Sequence, residues 1–359
     1  RCTLSPRRRG RPVRNHAVGV AIVTALTGQP TANTGQTMWN DTRTGWNRQS
    51  LDDAADYAGQ HHSSAVLVLD KGRIVLEQYW PLKAAGDFAR FVFEPTADGR
   101  PREDVASIQK SIVAILALKA AAEGAFDVAK PVSHYLGAGW SQASADKEAG
   151  ITVRHLMAMA SGLSRRLAYE RPPMETFVYN TRGYMRVAEA LEHATGKGLQ
   201  KLSQRWLIDP LELKDSGWEK RPGNEKNPRA WVTSARDLGR IGLMLIRGGA
   251  WDGTRVLARA TVERLFVPQQ RDNPSYGLFW WLNGQGHWTD TRGTKHQGPM
   301  IPHAPADTRT AFGRHGRYLC VSPSQDLVVV RLGREPGDGL IAGLWQRLRA
   351  ARPAPATRT

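Results

Sequence analysis

Ser107 and Lys110 stand three residues apart at the head of the stretch DVASIQKSIVAILALKAAAEG, residues 104–124. Behind them Ile108, Ile112, Val113, Ile115, Leu116 and Leu118 make the segment apolar almost all round, the pattern of a helix buried in a large core. Helix positions i and i+3 share a face, so the hydroxyl and the amine point the same way. A lysine beside a dry core resists charging, because desolvation disfavours the ammonium form. A partly neutral amine accepts a proton from serine, and the positive end of the helix dipole favours the alkoxide that develops. The pair therefore has the parts of an activated nucleophile. The other reading of the same residues is a capping serine with a lysine reaching back to solvent. Ser144 and Lys147 repeat the S-x-x-K spacing inside SQASADKEAG, which is polar and turn-like with no apolar helix behind it, and read as solvated loop.

Other elements must hold this pair in place. SAVLVLDKGRIVLEQYW, residues 64–80, reads as two strands joined at Lys71-Gly72; RYLCVSPSQDLVVVRLG, residues 317–333, reads as a second hairpin turning at Ser322-Pro323-Ser324. YGLFWWLN, residues 276–283, is a further strand candidate, with Trp280 and Trp281 as core or as cleft wall. Leu340, Leu344 and Leu348 share a helix face near the end of the chain. Between the hairpins the pattern is mainly helical. ITVRHLMAMASGL covers residues 151–163. A segment over 181–196 has Thr181 as candidate cap and Gly196 as stop, and one over 233–249 has Ser234 and Asp237 in a capping-box-like start. Terminal strands most simply join one mainly antiparallel sheet flanked by helices. The middle, about residues 125–270, is then an inserted, mostly helical lobe: an α+β fold.

Composition narrows the function classes. The 359 residues, 41% hydrophobic with 12 Trp, fit a globular protein. Of the net charge of +17, ten units sit in two tails: six Arg and no acid in residues 1–14, four Arg and no acid in residues 346–359. The remaining +7 (17 − 10) is spread along the chain, which reads as a solvated basic surface and not a nucleic-acid site. Residues 1–32 read as a basic arm or a secretory signal peptide: RRRGRPVRNH, then an apolar run too short to span a bilayer, then small residues ending at Ala32. A signal peptide implies a periplasmic or secreted protein, an arm a cytoplasmic one; residues 33–359 form the functional domain either way. Stable membrane insertion is not expected. Cys2 and Cys320 suggest neither a structural disulfide nor a cysteine metal set. His287, His296 and His303 fall in a long irregular stretch with spacings that match no common ligand pattern, so no metal or cofactor is expected.

The ordered landmarks resemble the serine β-lactamase and penicillin-binding-protein superfamily, most closely its class C-like branch of esterases, 6-aminohexanoate-dimer hydrolases and D-amino-acid peptidases. The 64–80 hairpin, DVASIQKS, ITVRHLMAMASGL, FVYNTRGY, LIDPLELKDSGW, TSARDLGRIGLMLIRGG, YGLFWW and GRHGRYLCVSPSQDLVVVRLG follow one another over residues 60–350. The resemblance implies acyl transfer through a serine ester, with Ser107 as nucleophile and Lys110 taking or relaying its proton. In that branch the second element carries a tyrosine two residues before an asparagine. Here YNT gives Tyr179, expected to act as base in acylation and as acid toward the leaving group. Thr181 stands at the asparagine place, either touching substrate or capping the next helix.

The third element fits in two registers. One places Arg314-His315-Gly316 on the basic-residue motif. The preferred one matches both glycines of Gly313-Arg314-His315-Gly316 and puts Ala311 at the basic position. In it the backbone N–H groups of Ser107 and Arg314 form the oxyanion hole. Gly313 and His315 then line the substrate cleft, His315 without a proton-transfer role, or as a hydrogen-bonded residue at a strand end. Ala311 cannot hold a substrate carboxylate, so esters and uncharged amides are expected ahead of β-lactams and free-carboxylate peptides. The expected protein is a serine hydrolase working through an acyl-enzyme on a small-molecule ester or amide. The alternatives are a non-catalytic peptide-binding relative, or a β-lactamase or D-Ala carboxypeptidase.

Overall fold

A computed structural model of the chain describes residues 45–353. The basic arm, the candidate signal segment and Cys2 lie outside the described residues. Strands β1 (Ser63–Asp70), β2 (Arg73–Tyr79), β3 (Val92–Phe93), β4 (Arg102–Asp104), β5 (Gly217–Lys220), β6 (Arg229–Thr233), β7 (Trp281–Leu282), β8 (Arg309–Gly313), β9 (Arg317–Ser322) and β10 (Leu327–Gly333) form two sheets. The larger has the order β2-β1-β10-β9-β8-β7 and is antiparallel throughout. Its centre joins the two ends of the chain, with Leu67 of β1 opposite Val330 of β10. Both expected hairpins are present. Lys71 (φ 51°) and Gly72 (φ 78°) make the two-residue turn of the first. The smaller sheet, β3-β4-β6-β5, has no counterpart in the sequence reading, because its strands are too short for a period-two signal.

The helices that cover the larger sheet and carry the candidate site are α1 (Arg48–Gln60), α2 (Ile108–Ala122), α3 (Val153–Met157), α4 (Thr181–Thr195), α5 (Ala235–Ile246) and α6 (Leu340–Ala351). The alternation along β1 sorts its side chains between two cores. Val66 and Val68 pack with Ala54 and Ala58 of α1 and Leu344 and Leu348 of α6. Ala65, Leu67 and Leu69 pack with Ile112 and Ile115 of α2 and Leu238 and Ile241 of α5. The sheet is therefore covered on both faces, which is why β1 reads as a continuous apolar run. Helix α5 lies so close to the sheet that a Cβ at Gly242 would stand 2.6 Å from a methyl of Val328. Among the described residues no helix is long and apolar enough to cross a membrane.

Two elements are shorter than their sequence patterns. The helix expected over 151–163 ends at Met157, and the strand expected over 276–283 keeps only Trp281 and Leu282. The reason is tertiary. The Phe279 N–H donates to Met157 O at 3.0 Å and the Phe279 carbonyl accepts Ser111 Oγ at 2.6 Å. Phe279 takes φ 58° to make both contacts and so interrupts the strand.

Candidate active site

Strand β4 ends at Asp104 and α2 begins at Ile108, so the chain turns through three residues. Ala106 takes φ 51°, a left-handed conformation costing roughly 1–2 kcal/mol for a residue with a Cβ. The turn is tied down at two points: Asp104 Oδ1 accepts the Ala106 N–H at 2.8 Å, and the Val105 N–H reaches Trp231 O at 3.1 Å. Ser107 then occupies the N-cap position of α2, yet its side chain makes no capping bond. Its Oγ instead accepts from Lys110 Nζ at 2.9 Å. Lys110 does not reach solvent; it is 2% exposed, with Nζ 5.1 Å from the Tyr179 ring centre and 5.0 Å from that of Tyr184. Burial, helped by the positive charge of Arg221, lowers its pKa to about 7. The capping-serine, solvent-seeking-lysine alternative fits neither residue.

Tyr179 enters just before α4. Asn180, not Thr181, caps that helix: its Oδ1 accepts the Gly183 N–H at 3.0 Å and its Nδ2 donates to Ser164 O at 2.8 Å. The expected Thr181 cap is corrected accordingly. Thr181 is the first helical residue, and its place on the cavity wall follows from the cap lying one residue earlier. Tyr179 lines the same cavity as Ser107, whose side chain favours the phenolate, and its ring stacks on Trp281 with centres 6.2 Å apart. Burial pushes the phenol up to about 12. At neutral pH the phenol is therefore protonated.

The third motif forms the turn between β8 and β9. At Gly313 a Cβ would stand 2.3 Å from Val105 O, so the strand end and the Ser107 turn touch backbone to backbone. This close approach is the physical reason for a glycine there. Two buried arginines grip the turn by its carbonyls: Arg317 donates to Arg314 O at 2.9 Å and Arg331 to Gly316 O at 3.1 Å. Arg317 is itself held by Glu103 at 2.8 Å. Among the described residues, neither the Ser107 nor the Arg314 backbone N–H is engaged by a backbone carbonyl. The Arg314 side chain turns to Asp87 at 2.8 Å. His315 is not at a strand end but in the turn, at φ 65°. Its ring packs edge-on against Phe91 at 4.9 Å and makes no hydrogen bond, which corrects the strand-end reading. Ala311 is fully buried opposite Leu319.

Ser107, Tyr179, Thr181, Gly313, Arg314 and His315 line one cavity of about 560 Å³. A second, of about 230 Å³, meets it at Ser107, Thr181 and Arg314 and is backed by Lys110, Gln109 and Arg221. A larger hollow of about 810 Å³, beside His303, Trp345 and Arg352, includes none of these residues. The sequence reading missed the group that braces the 105–107 turn. Arg221 binds Asp104 through two bonds, of 2.6 and 3.0 Å, and Gln109 at 2.9 Å. Asp104 adjoins the S-x-x-K motif, but nothing local marks a partner more than a hundred residues away. Trp280 and Trp281 are both core, with one face of Trp281 against Tyr179.

The remaining candidates disperse. Ser144 precedes a single exposed turn of helix, with Lys147 over Tyr169. His287 faces Asp272 O and His296 stacks on Trp288. Among the described residues no group of ligating side chains could hold a metal ion.

Gly313→Ala should fold, as read by circular dichroism, and lose about 10²-fold in kcat. Its methyl must push the 313–316 turn away from the 105–107 segment, and displacements near 1 Å in a reacting site carry penalties of that order. An unchanged kcat would remove this contact from the site.

A family model described as Beta-lactamase matches residues 47–350. Three solved structures illustrate the likeness. A candidate β-lactamase from Bacteroides dorei DSM 17855 is 16% identical, with TM-score 0.64, over 85% of this chain and 99% of that one. A candidate 6-aminohexanoate-dimer hydrolase from Bacillus anthracis is 16% identical, with TM-score 0.60, over 84% and 80%. EstCE1, a hydrolase with promiscuous acyltransferase activity, is 15% identical, with TM-score 0.60, over 85% and 99%. Among curated proteins none matches. At these identities the structural likeness carries the fold.

Proposed function

This chain belongs to the β-lactamase family, and from that premise we propose that it is a serine hydrolase forming an acyl-enzyme at Ser107 on an ester or amide. The observation that carries the reading is a lysine amine 2.9 Å from the serine oxygen and buried enough that its pKa falls to about 7, so a large share of it is neutral at that pH. The neutral amine takes the Ser107 proton as Oγ attacks the substrate carbonyl. The N–H groups of Ser107 and Arg314 stabilise the oxyanion. The carbonyl–heteroatom bond then breaks, and the leaving group takes its proton from Tyr179, which recovers one from the Lys110 ammonium. In deacylation a water attacks the ester, gives a proton to Lys110, and the released Ser107 oxygen is reprotonated from it.

Esters and uncharged amides rank ahead of β-lactams, since the basic position of the third motif is the buried Ala311. A second reading, hydrolysis of carboxylate-bearing amides, is favoured by Arg182. It lines the cavity and has no ion pair or hydrogen bond among the described residues.

Fluorophosphonate labelling with peptide mapping, followed by a panel of p-nitrophenyl ester, anilide and cephalosporin substrates, tests the proposal. Labelling at Ser107 and fastest turnover of the ester are expected. No label at Ser107 means a non-catalytic binding protein, and a wide preference for the cephalosporin moves the substrate to the second reading.

A further inference from the structure

Beside the Ser107 cavity lies a separate apolar pocket of about 180 Å³, walled by Trp281, Trp288, Met300, Ile301, Phe312 and Ile341. It adjoins the cavity at Thr291, Phe312 and Tyr318, which line both. It sits on the seam between the two cores, Trp281 belonging to one and Ile301 to the other. Its one charged lining residue, Asp290, is already satisfied: Oδ1 accepts the N–H groups of Arg292, Gly293 and Thr294 at 2.8–2.9 Å, and Oδ2 faces His296 at 3.3 Å. That carboxylate is thus withdrawn from any ligand. Recognition rests on burial of apolar surface. A cavity of roughly 150 Å³ lined by aliphatic and aromatic side chains holds a benzene ring.

We propose that this pocket is a substrate subsite for an aromatic ring or short alkyl group carried by the ester or amide that acylates Ser107. The proposal rests on the serine-hydrolase reading and adds to it the apolar character of the substrate. Trp281 makes the link physical. It walls the pocket and stacks on Tyr179, so an occupant would touch the ring against which Tyr179 is packed.

The test compares p-nitrophenyl acetate, butyrate, hexanoate and phenylacetate, and in a second arm acetate esters of alcohols of increasing length. In one arm kcat/KM should climb about fourfold per methylene until the pocket is full, the increment expected for burying a CH₂. The arm that climbs says whether the acyl or the alcohol side enters. Ile341→Trp, on the half-exposed face of α6, should fill the pocket and pull the butyrate-to-acetate ratio toward one. Series flat in both arms overturn the proposal, as does a ratio unmoved by Ile341→Trp.

A crystal soaked in iodobenzene gives a readout independent of turnover. Iodine between Trp281, Ile301 and Ile341 is expected, and a vacant pocket counts against the subsite. An inactive protein that binds iodobenzene there would sink the Ser107 reading and with it the substrate role, leaving only an apolar ligand pocket. An active one with flat series would sink the subsite alone.

Discussion

Ser107→Ala should lower hydrolysis of the best ester on the order of 10⁴-fold or more, and Lys110→Met on the order of 10³–10⁴-fold, with the double variant no worse than the first. Non-additivity is expected because the hydroxyl and the amine, 2.9 Å apart, act as one unit. Tm should not fall in Lys110→Met. A buried amine with a strongly lowered pKa is unfavourable where it sits, and a methionine fills similar space without a polar group. Steady-state kinetics with active-site titration and a thermal melt check both halves. If Lys110→Met retains a tenth of the activity, the base lies elsewhere. A large drop in Tm would instead mean that Lys110 is mainly structural.

Arg221→Met should destabilise the protein by about 3–5 kcal/mol, seen as a lower urea midpoint, because it leaves the fully buried Asp104 carboxylate unpaired. That is a large share of the roughly 5–15 kcal/mol by which domains are ordinarily stable. The same variant should also move the pH profile. Lys110 must be neutral to accept the serine proton, so kcat/KM in the parent protein rises with pH through an acidic limb near 7. The guanidinium is one of two causes that lower the Lys110 pKa; without it, and with Asp104 uncompensated, the amine holds its proton longer and the limb shifts to higher pH. The double variant Asp104→Asn, Arg221→Met should recover part of the stability, since no lone charge remains. A limb that stays in place in Arg221→Met would reduce Arg221 to a purely structural brace.

The Ser107–Lys110 pair was legible because both partners lie within one helical turn and an apolar helix follows them, which the Ser144–Lys147 copy lacks. The two hairpins and the antiparallel sheet were legible for a related reason. Their apolar runs and turn residues are local, and terminal strands have few ways to pair. Tyr179, Gly313 and Arg314 came from the ordered resemblance. The closeness of Gly313 to Val105 is a contact between segments about two hundred residues apart along the chain.

The sequence by itself determined the α+β class and the placing of Ser107 and Lys110 on one helical turn, since each depends on neighbours along the chain. Only the tertiary structure decided that Lys110 is shut from solvent between two tyrosine rings, and that Asn180 takes the cap and leaves Thr181 to the cavity. It alone decided that Arg221 braces the nucleophile turn and that an apolar pocket opens beside the reacting groups. Desolvation, ion pairing and cavity shape are sums over atoms from distant segments, and no local pattern of residues encodes such a sum.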